Sequence, residues 1–257
     1  MLLKITEHCS MGCTHCLNNA LPNNNHMSME TLVDSLEFIK KTKLEPVIIV
    51  SGGEPTEHPR FMELMTTIIG YCISNLTSSH IIIASNGLWF EANIELLKSL
   101  LFKVPNHSIS IQITNIEKYY PKRININNPI YKIEEVSLIN PEDITIYPAG
   151  RAVTNNIPSY SKGSKCFNIR ALSNQLTDPT LGAVSSELRK FNKFCTPSIK
   201  VNGDIILGES DLCKTACTIY DKEENIVSII QNFTCDNCNH INDNLPPEYK
   251  RLLKPFR

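Results

Sequence analysis

The run Pro46-Val47-Ile48-Ile49-Val50-Ser51-Gly52-Gly53-Glu54-Pro55 decides how the chain folds. Its first half is apolar on both faces, as a strand must be when it lies in a parallel sheet covered by helices. It passes straight into two glycines, which let backbone approach a ligand, and then into Glu54, a hydrogen-bond acceptor. Such strand ends open onto the mouth of a barrel-type sheet, where ligands bind.

Upstream, Leu2, Leu3 and Ile5 predict a short first strand that delivers the loop Cys9-Ser10-Met11-Gly12-Cys13-Thr14-His15-Cys16. Asn23-Asn24-Asn25 continues that loop. Ser28 is placed to cap a helix whose buried stripe is Met29, Leu32, Val33, Leu36 and Ile39, with Lys40-Lys41 near its end. Three thiolates spaced four and three apart can hold three corners of an iron–sulfur cube. One iron then stays open to a small molecule, as a catalytic zinc keeps an open position. The same spacing also suits a zinc knuckle completed by His8 or His15, or one face of a helix. Gly12, Ser10 and Thr14 favour a loop over that helix.

Downstream, Phe61, Leu64, Met65, Ile68, Ile69 and Cys72 mark an amphipathic helix, with Cys72 as packing. Ile81 to Ala84 form another apolar strand, ending in Ser85-Asn86-Gly87, which taken alone is equally a plain turn. A helix through Ile94, Leu97 and Leu101 precedes Ser108 to Thr114. Their alternation puts Ser108, Ser110, Gln112 and Thr114 on one face, either a polar row inside a barrel mouth or a wet outer face. Tyr119 to Asn128 reads as a surface connection, Ile130 to Ile139 as weakly helical, and Ile144, Ile146 and Tyr147 as the next strand. That strand leads into Pro148-Ala149-Gly150-Arg151-Ala152.

At 257 residues and 42% hydrophobic, the chain can bury one large domain with an appendage. A formal charge of -1 and pI near 6.7 provide no basic field for a nucleic-acid backbone. No signal peptide or membrane-spanning run is present, which predicts a cytoplasmic protein. Ten cysteines in a reducing compartment point to metal or cluster ligation.

Six of the ten follow residue 165: Cys166, Cys195, Cys213, Cys217, Cys235 and Cys238. Asn202-Gly203 between apolar runs predicts a β-hairpin that sets Cys195 opposite Ser210 and near Cys213. Two cysteine pairs so arranged serve an iron–sulfur cluster or a zinc ribbon.

Cys9, Cys13 and Cys16, followed by Ser51-Gly52-Gly53-Glu54-Pro55, resemble the two signatures of the radical S-adenosylmethionine (SAM) enzymes. The resemblance implies an α/β fold, a partial (β/α)6 TIM-type barrel over residues 1–190, with a cysteine-rich extension containing the hairpin over residues 191–257. Regular β/α alternation fades around residue 155, which sets a boundary there, moving to 190 if Leu181 to Phe191 is the last barrel helix. It further implies a 4Fe-4S cluster on Cys9, Cys13 and Cys16, chelated by SAM, and a 5′-deoxyadenosyl radical that takes hydrogen from a substrate. Gly52, Gly53 and Glu54 would meet the amino group of SAM, His15 the adenine, and Ser85 and Asn86 the cofactor at the third strand. Gln112 is a further cofactor candidate. Arg151, in a Gly-Arg-Ala turn like that of peptide-modifying members, would fork a carboxylate of cofactor or substrate.

The tail resembles SPASM or twitch extensions, with four of Cys195, Cys213, Cys217, Cys235 and Cys238 holding one auxiliary cluster. It departs from them in having Gly208 where a cysteine usually follows the hairpin, and in having too few cysteines for two clusters. Cys166 or the spare thiol is a candidate hydrogen donor to a substrate radical. The implied substrate is a ribosomally made peptide, epimerised or crosslinked, with a reductant such as flavodoxin or ferredoxin. Chemistry on a small molecule or nucleotide, activation of a glycyl-radical partner, and a zinc-stabilised binding module are the competing expectations. The chain begins directly with the barrel, so a leader-binding domain ahead of it is not expected.

Overall fold

The computed structural model describes residues 1–42, 47–101, 103–114, 118–139, 146, 150–157, 197–208, 213–222 and 229. Strand β1 (Leu2–Thr6) is followed by α1 (Met29–Thr42), β2 (Val47–Gly52), α2 (Phe61–Asn75) and β3 (Ser79–Ser85). Then come α3 (Leu88–Ala92), α4 (Ile94–Leu100), β4 (Lys103–Val104), β5 (His107–Ile113) and β6 (Val136–Leu138). The short helix α5 (Arg151–Thr154) precedes β7 (Pro197–Ile199), β8 (Asp204–Leu207) and β9 (Thr215–Thr218). Among the described residues one mixed sheet runs β4-β5-β3-β2-β1-β7-β8-β9, with β6 also on β5. β1, β2, β3, β5 and β6 are parallel neighbours, the β/α alternation of a partial barrel.

The sequence explains which face is which. Ile48 and Val50, Ile81 and Ile83, and Ile109 and Ile111 point to the helices and are buried with Leu32, Leu64 and Ile68. Each such side chain contributes about 1.5–3 kcal/mol by leaving water. Ser28 caps α1 as its position predicts, its Oγ accepting the Thr31 N–H at 3.0 Å. Cys72 is fully buried in α2.

The alternating strand proves to be β5, with isoleucines on the helix side and serines on the inner face. There His80 bridges two of the serines, Nδ1 to Ser108 Oγ at 2.7 Å and Nε2 to Ser110 Oγ at 3.1 Å. The helix expected over Ile130 to Ile139 does not form. Asn128 caps a 3-10 turn at Pro129–Lys132, and Val136–Leu138 pairs with β5 instead. The pairing supplies partners that an isolated helical turn would lack.

The hairpin is present, one residue out of the expected register. Pro197 faces Leu207 and Ile199 faces Ile205, because Lys200 and Asp204 close a three-residue loop rather than a two-residue one. Cys195 and Ser210, expected to face each other, lie outside the described residues. β7 runs parallel to β1, so the hairpin extends the barrel sheet. Leu181 to Phe191, the boundary at 190 and most of the strand through Ile144 lie outside the described residues. Among the described residues no helix is long and apolar enough to cross a membrane.

Candidate active site at the cysteine loop

The carboxyl end of β2 lies against the start of the cysteine loop. Gly53 N–H donates to Thr6 O at 2.6 Å and Glu54 N–H to His8 O at 2.9 Å. A Cβ on Gly52 would stand 2.0 Å from Thr6 O, and one on Gly53 would stand 2.1 Å from His8 O. The two glycines are therefore required by backbone meeting backbone. Only in this way can the cysteine loop sit on the tip of β2.

Two charged side chains hold the loop from opposite sides. Glu57 accepts Ser10 N–H and Ser10 Oγ–H, both at 2.7 Å, and its Oε2 lies 3.2 Å from His8 Nε2. From α5, Arg151 Nε donates to Cys13 O at 2.7 Å and Nη1 to Ala20 O at 2.6 Å. The Arg151 N–H donates to Cys16 O at 2.9 Å, and Asn155 Nδ2 to Thr14 O at 2.8 Å. Gly150 (φ 56°) permits this contact, since a Cβ there would lie 2.2 Å from Cys16 O.

Between the loop and the strand tips is a cavity of about 200 Å³. Cys9, Cys13 and Cys16 face it, together with Gly52, Gly53 and Glu54 from β2 and Ser85 and Asn86 after β3. Cys9 and Cys13 are each 8% exposed. Burial pushes the Cys9 thiol up to about 11 and the Cys13 thiol higher still, while the Arg151 guanidinium acts on Cys13 in the opposite direction. Buried sulfurs of this kind become thiolates when a metal takes the charge. Soft sulfur donors lining one small cavity suit iron–sulfur chemistry, so the residues present fit the cluster.

His15 lines the same cavity, flanked by Tyr119 and by an edge-on Tyr120 at ring separations of 5.2 and 5.4 Å. Burial, with Arg151 nearby, lowers its pKa to about 4, so the ring is neutral at pH 7. Its Nδ1 is buried with no hydrogen-bond partner among the described residues, as is Arg151 Nη2. Glu54 is 3% exposed. Its Oε1 accepts from Thr56 N–H, Thr56 Oγ–H at 2.6 Å and Ser85 Oγ–H at 2.8 Å, whereas among the described residues Oε2 accepts only the Asn86 N–H at 2.7 Å. Burial raises the Glu54 pKa and these donors work against that rise. A carboxylate offers about four acceptor positions, so Oε2 keeps one for a ligand.

The structure thus brings Cys9, Cys13, Cys16, His15, Gly52, Gly53, Glu54, Ser85 and Asn86 to one cavity. Gln112 and Arg151 are not among the residues lining it. Gln112 sits on the inner face beside Ala84, and Arg151 is engaged with loop carbonyls. Tyr120 and Asn18 line the cavity and were not singled out from the sequence, whereas Thr114, which also lines it, belongs to the polar row expected inside the barrel mouth. The adjacent Tyr119-Tyr120 pair inside a polar stretch was the available signal for the first. Cys213 precedes β9 and Cys217 lies on it, opposite Ile205 and 5% exposed, its thiol pushed up to about 11 by burial. Cys166, Cys195, Cys235 and Cys238 lie outside the described residues.

This geometry agrees with what sequence comparison finds. The family model described as Radical SAM superfamily matches residues 3–136, just over half of the chain. The chain belongs to that superfamily and is an enzyme of it, in which SAM and a 4Fe-4S cluster are the working cofactors. Among curated proteins none matches the sequence. The structure of BtrN in complex with AdoMet and 2-DOIA is similar in fold, with TM-score 0.58 and 15% identity over 97% of this chain and 87% of that one. Native anSMEcpe with AdoMet and the Cp18Cys peptide gives TM-score 0.48 at 13% identity, covering 97% of this chain and 85% of that chain. Streptococcus suis SuiB bound to S-adenosylmethionine gives 0.41 at 14% identity, covering 93% and 68% respectively.

Proposed function

We propose that Cys9, Cys13 and Cys16 hold a 4Fe-4S cluster at which SAM is cleaved, and that hydrogen is then taken from a ribosomally made peptide that is epimerised or crosslinked. The observation that carries the cofactor part is the convergence of three cysteines and the Gly52-Gly53 strand tip on one cavity. Once bound, cluster and SAM supply a 5′-deoxyadenosyl radical.

The chain's own residues position and shield. Glu57 and Arg151 fix the loop that carries the cysteines. Gly52, Gly53 and Glu54 Oε2 face the place where the amino group of SAM would bind, and Ser85 and Asn86 close the neighbouring strand tip. Neutral His15 with Tyr120 makes a dry aromatic wall for the adenine, which keeps water from the reacting centre.

The Gly150-Arg151-Ala152 turn and the cysteine-rich tail support the peptide substrate. In this reading one auxiliary cluster uses four of Cys195, Cys213, Cys217, Cys235 and Cys238, and Cys166 or a spare thiol returns hydrogen to the product radical. A flavodoxin or ferredoxin delivers the electron, in the cytoplasm.

The test is anaerobic reconstitution with iron and sulfide, then incubation with SAM, reductant and candidate peptides, read by mass spectrometry. Deuterium gained from solvent at unchanged chemical composition marks epimerisation, and loss of two hydrogens marks crosslinking. Cofactor cleavage with no peptide product in any trial overturns the peptide substrate and favours a small molecule. Zinc without iron or sulfide overturns the radical enzyme itself.

A further inference from the structure

Tyr119 and Tyr120 both meet His15, but they serve different surroundings. Tyr120 lines the cysteine cavity, and its ring packs against the group formed by Cys9, Met11, Cys13 and Ala20. Tyr119 is not among the lining residues, and the exposed Lys118 lies over its ring, with Nζ 5.2 Å from the centroid.

The cysteine loop itself holds Tyr120 in place. Thr14 N–H donates to Tyr119 O at 3.2 Å, which ties the peptide entering Tyr120 to the loop between Cys13 and Cys16. Pro121 follows and restricts the Tyr120 backbone to extended conformations. Both tyrosines also pack against Ile146 and Ala152, and Ala152 belongs to α5, next to the Arg151 that grips the same loop.

Electrostatics show which way the hydroxyl points. Burial pushes the phenol well above its ordinary value of about 10, and charge on Cys13, Glu54, Cys16 and Cys9 acts in the same direction. Because such interactions fade with separation, a hydroxyl that feels all three sulfurs and Glu54 faces the space they enclose. There the phenol, protonated at pH 7, is a hydrogen-bond donor.

A cluster held by the three cysteines carries its sulfurs into that same cavity. Reduction adds one negative charge to it, and a donor at sulfur stabilises the more negative state more. We infer that the Tyr120 hydroxyl donates a hydrogen bond to a sulfur of this cluster, on or beside Cys13, and so raises its reduction potential. One electron passes from the external reductant to the cluster, and the tyrosine proton stays on its oxygen. Only the hydroxyl is used, so the ring remains available to wall the adenine. The inference rests on the reading that Cys9, Cys13 and Cys16 hold the cluster.

The experiment is a reductive titration of the reconstituted enzyme followed by electron paramagnetic resonance, in which this cluster's signal is the one that changes when SAM is added. In Tyr120→Phe the equilibrium constant for its reduction should fall about tenfold, which for one electron is about 59 mV. Tyr119→Phe should match the parent. Proton double-resonance spectra of the reduced parent in H2O and D2O should differ by an exchangeable proton coupled to the cluster, and Tyr120→Phe should lack it. A potential in Tyr120→Phe equal to that of the parent, at matched iron content, overturns the inference. So does a parent spectrum identical in the two solvents, a result that needs no variant. Absence of iron, or of any signal that responds to SAM, would retire the cluster reading itself and is seen before the titration begins, so the two failures stay distinct.

Discussion

Gly150 and Arg151 act on residues more than a hundred positions away. With a Cβ at 2.2 Å from Cys16 O, Gly150→Ala must push the cysteine loop aside and should cost about 1–3 kcal/mol. Iron retained after reconstitution and desalting should fall with it. Gly70, within α2, has nothing within 4 Å of an added Cβ. Gly70→Ala should therefore stabilise by about 0.5–1 kcal/mol in urea unfolding and leave iron retention alone. Arg151→Lys keeps the charge but lacks the fork that reaches two carbonyls, Cys13 O and Ala20 O. We expect iron content to drop clearly while the melting temperature moves only a few degrees. An unchanged iron content would return Arg151 to the surface role a lone arginine ordinarily has. The sequence marked Arg151 through its turn, yet pointed it toward a carboxylate, because a distant loop's carbonyls leave no local pattern.

Among the elements, the 3-10 turn at Pro55–Glu57 links the strand tip to α2 and brings His58 under the loop. His58 Nδ1 accepts the Arg60 N–H at 3.0 Å, so Nε2 carries the proton and donates to Met27 O at 3.0 Å. Its ring meets that of His26 at 5.0 Å, and His26 meets His8 at 5.4 Å. Burial lowers the pKa of both His58 and His26, with the neighbouring imidazoles and Arg60 acting in the same direction. Other groups facing them are Thr6 on His26 and Glu57 on His8.

Because both folded values lie below the unfolded 6.5, the unfolded state binds more protons as the solution is acidified. Stability present above about pH 6.5 is then lost on acidification, with a slope of up to about 1.4 kcal/mol per pH unit for each proton. Denaturant midpoints from about pH 8 to about pH 5 should fall, and His58→Gln should fall less steeply. An identical pH profile in the variant would exclude His58 as a source. Element by element, periodicity placed the strands and the long helices, because their apolar faces repeat in sequence. Short pieces such as α3 and β6 were missed or misread, being decided by pairing partners rather than by their own pattern.

For the molecule as a whole, the barrel side was legible because two motifs and four strand patterns, those of β1, β2, β3 and β5, all open at one end. The tail was legible only as a hairpin, since a turn one residue longer shifts every facing pair. Iron counts settle what the tail adds. One auxiliary cluster predicts about eight irons per chain, falling to about four in Cys217→Ala; about four in both would place Cys217 in the sheet core as packing alone.

The pairing of Leu3 with Ile199 carries a cost in time. Strand β1 leaves the ribosome early, but its partner on that edge emerges roughly two hundred residues later, about 10–40 s at ordinary elongation rates. For that interval the nascent chain offers a bare strand edge to any neighbour on a crowded polysome. Slow translation should therefore lower the soluble yield of this protein, and a chaperone that shields early-emerging apolar segments should restore it.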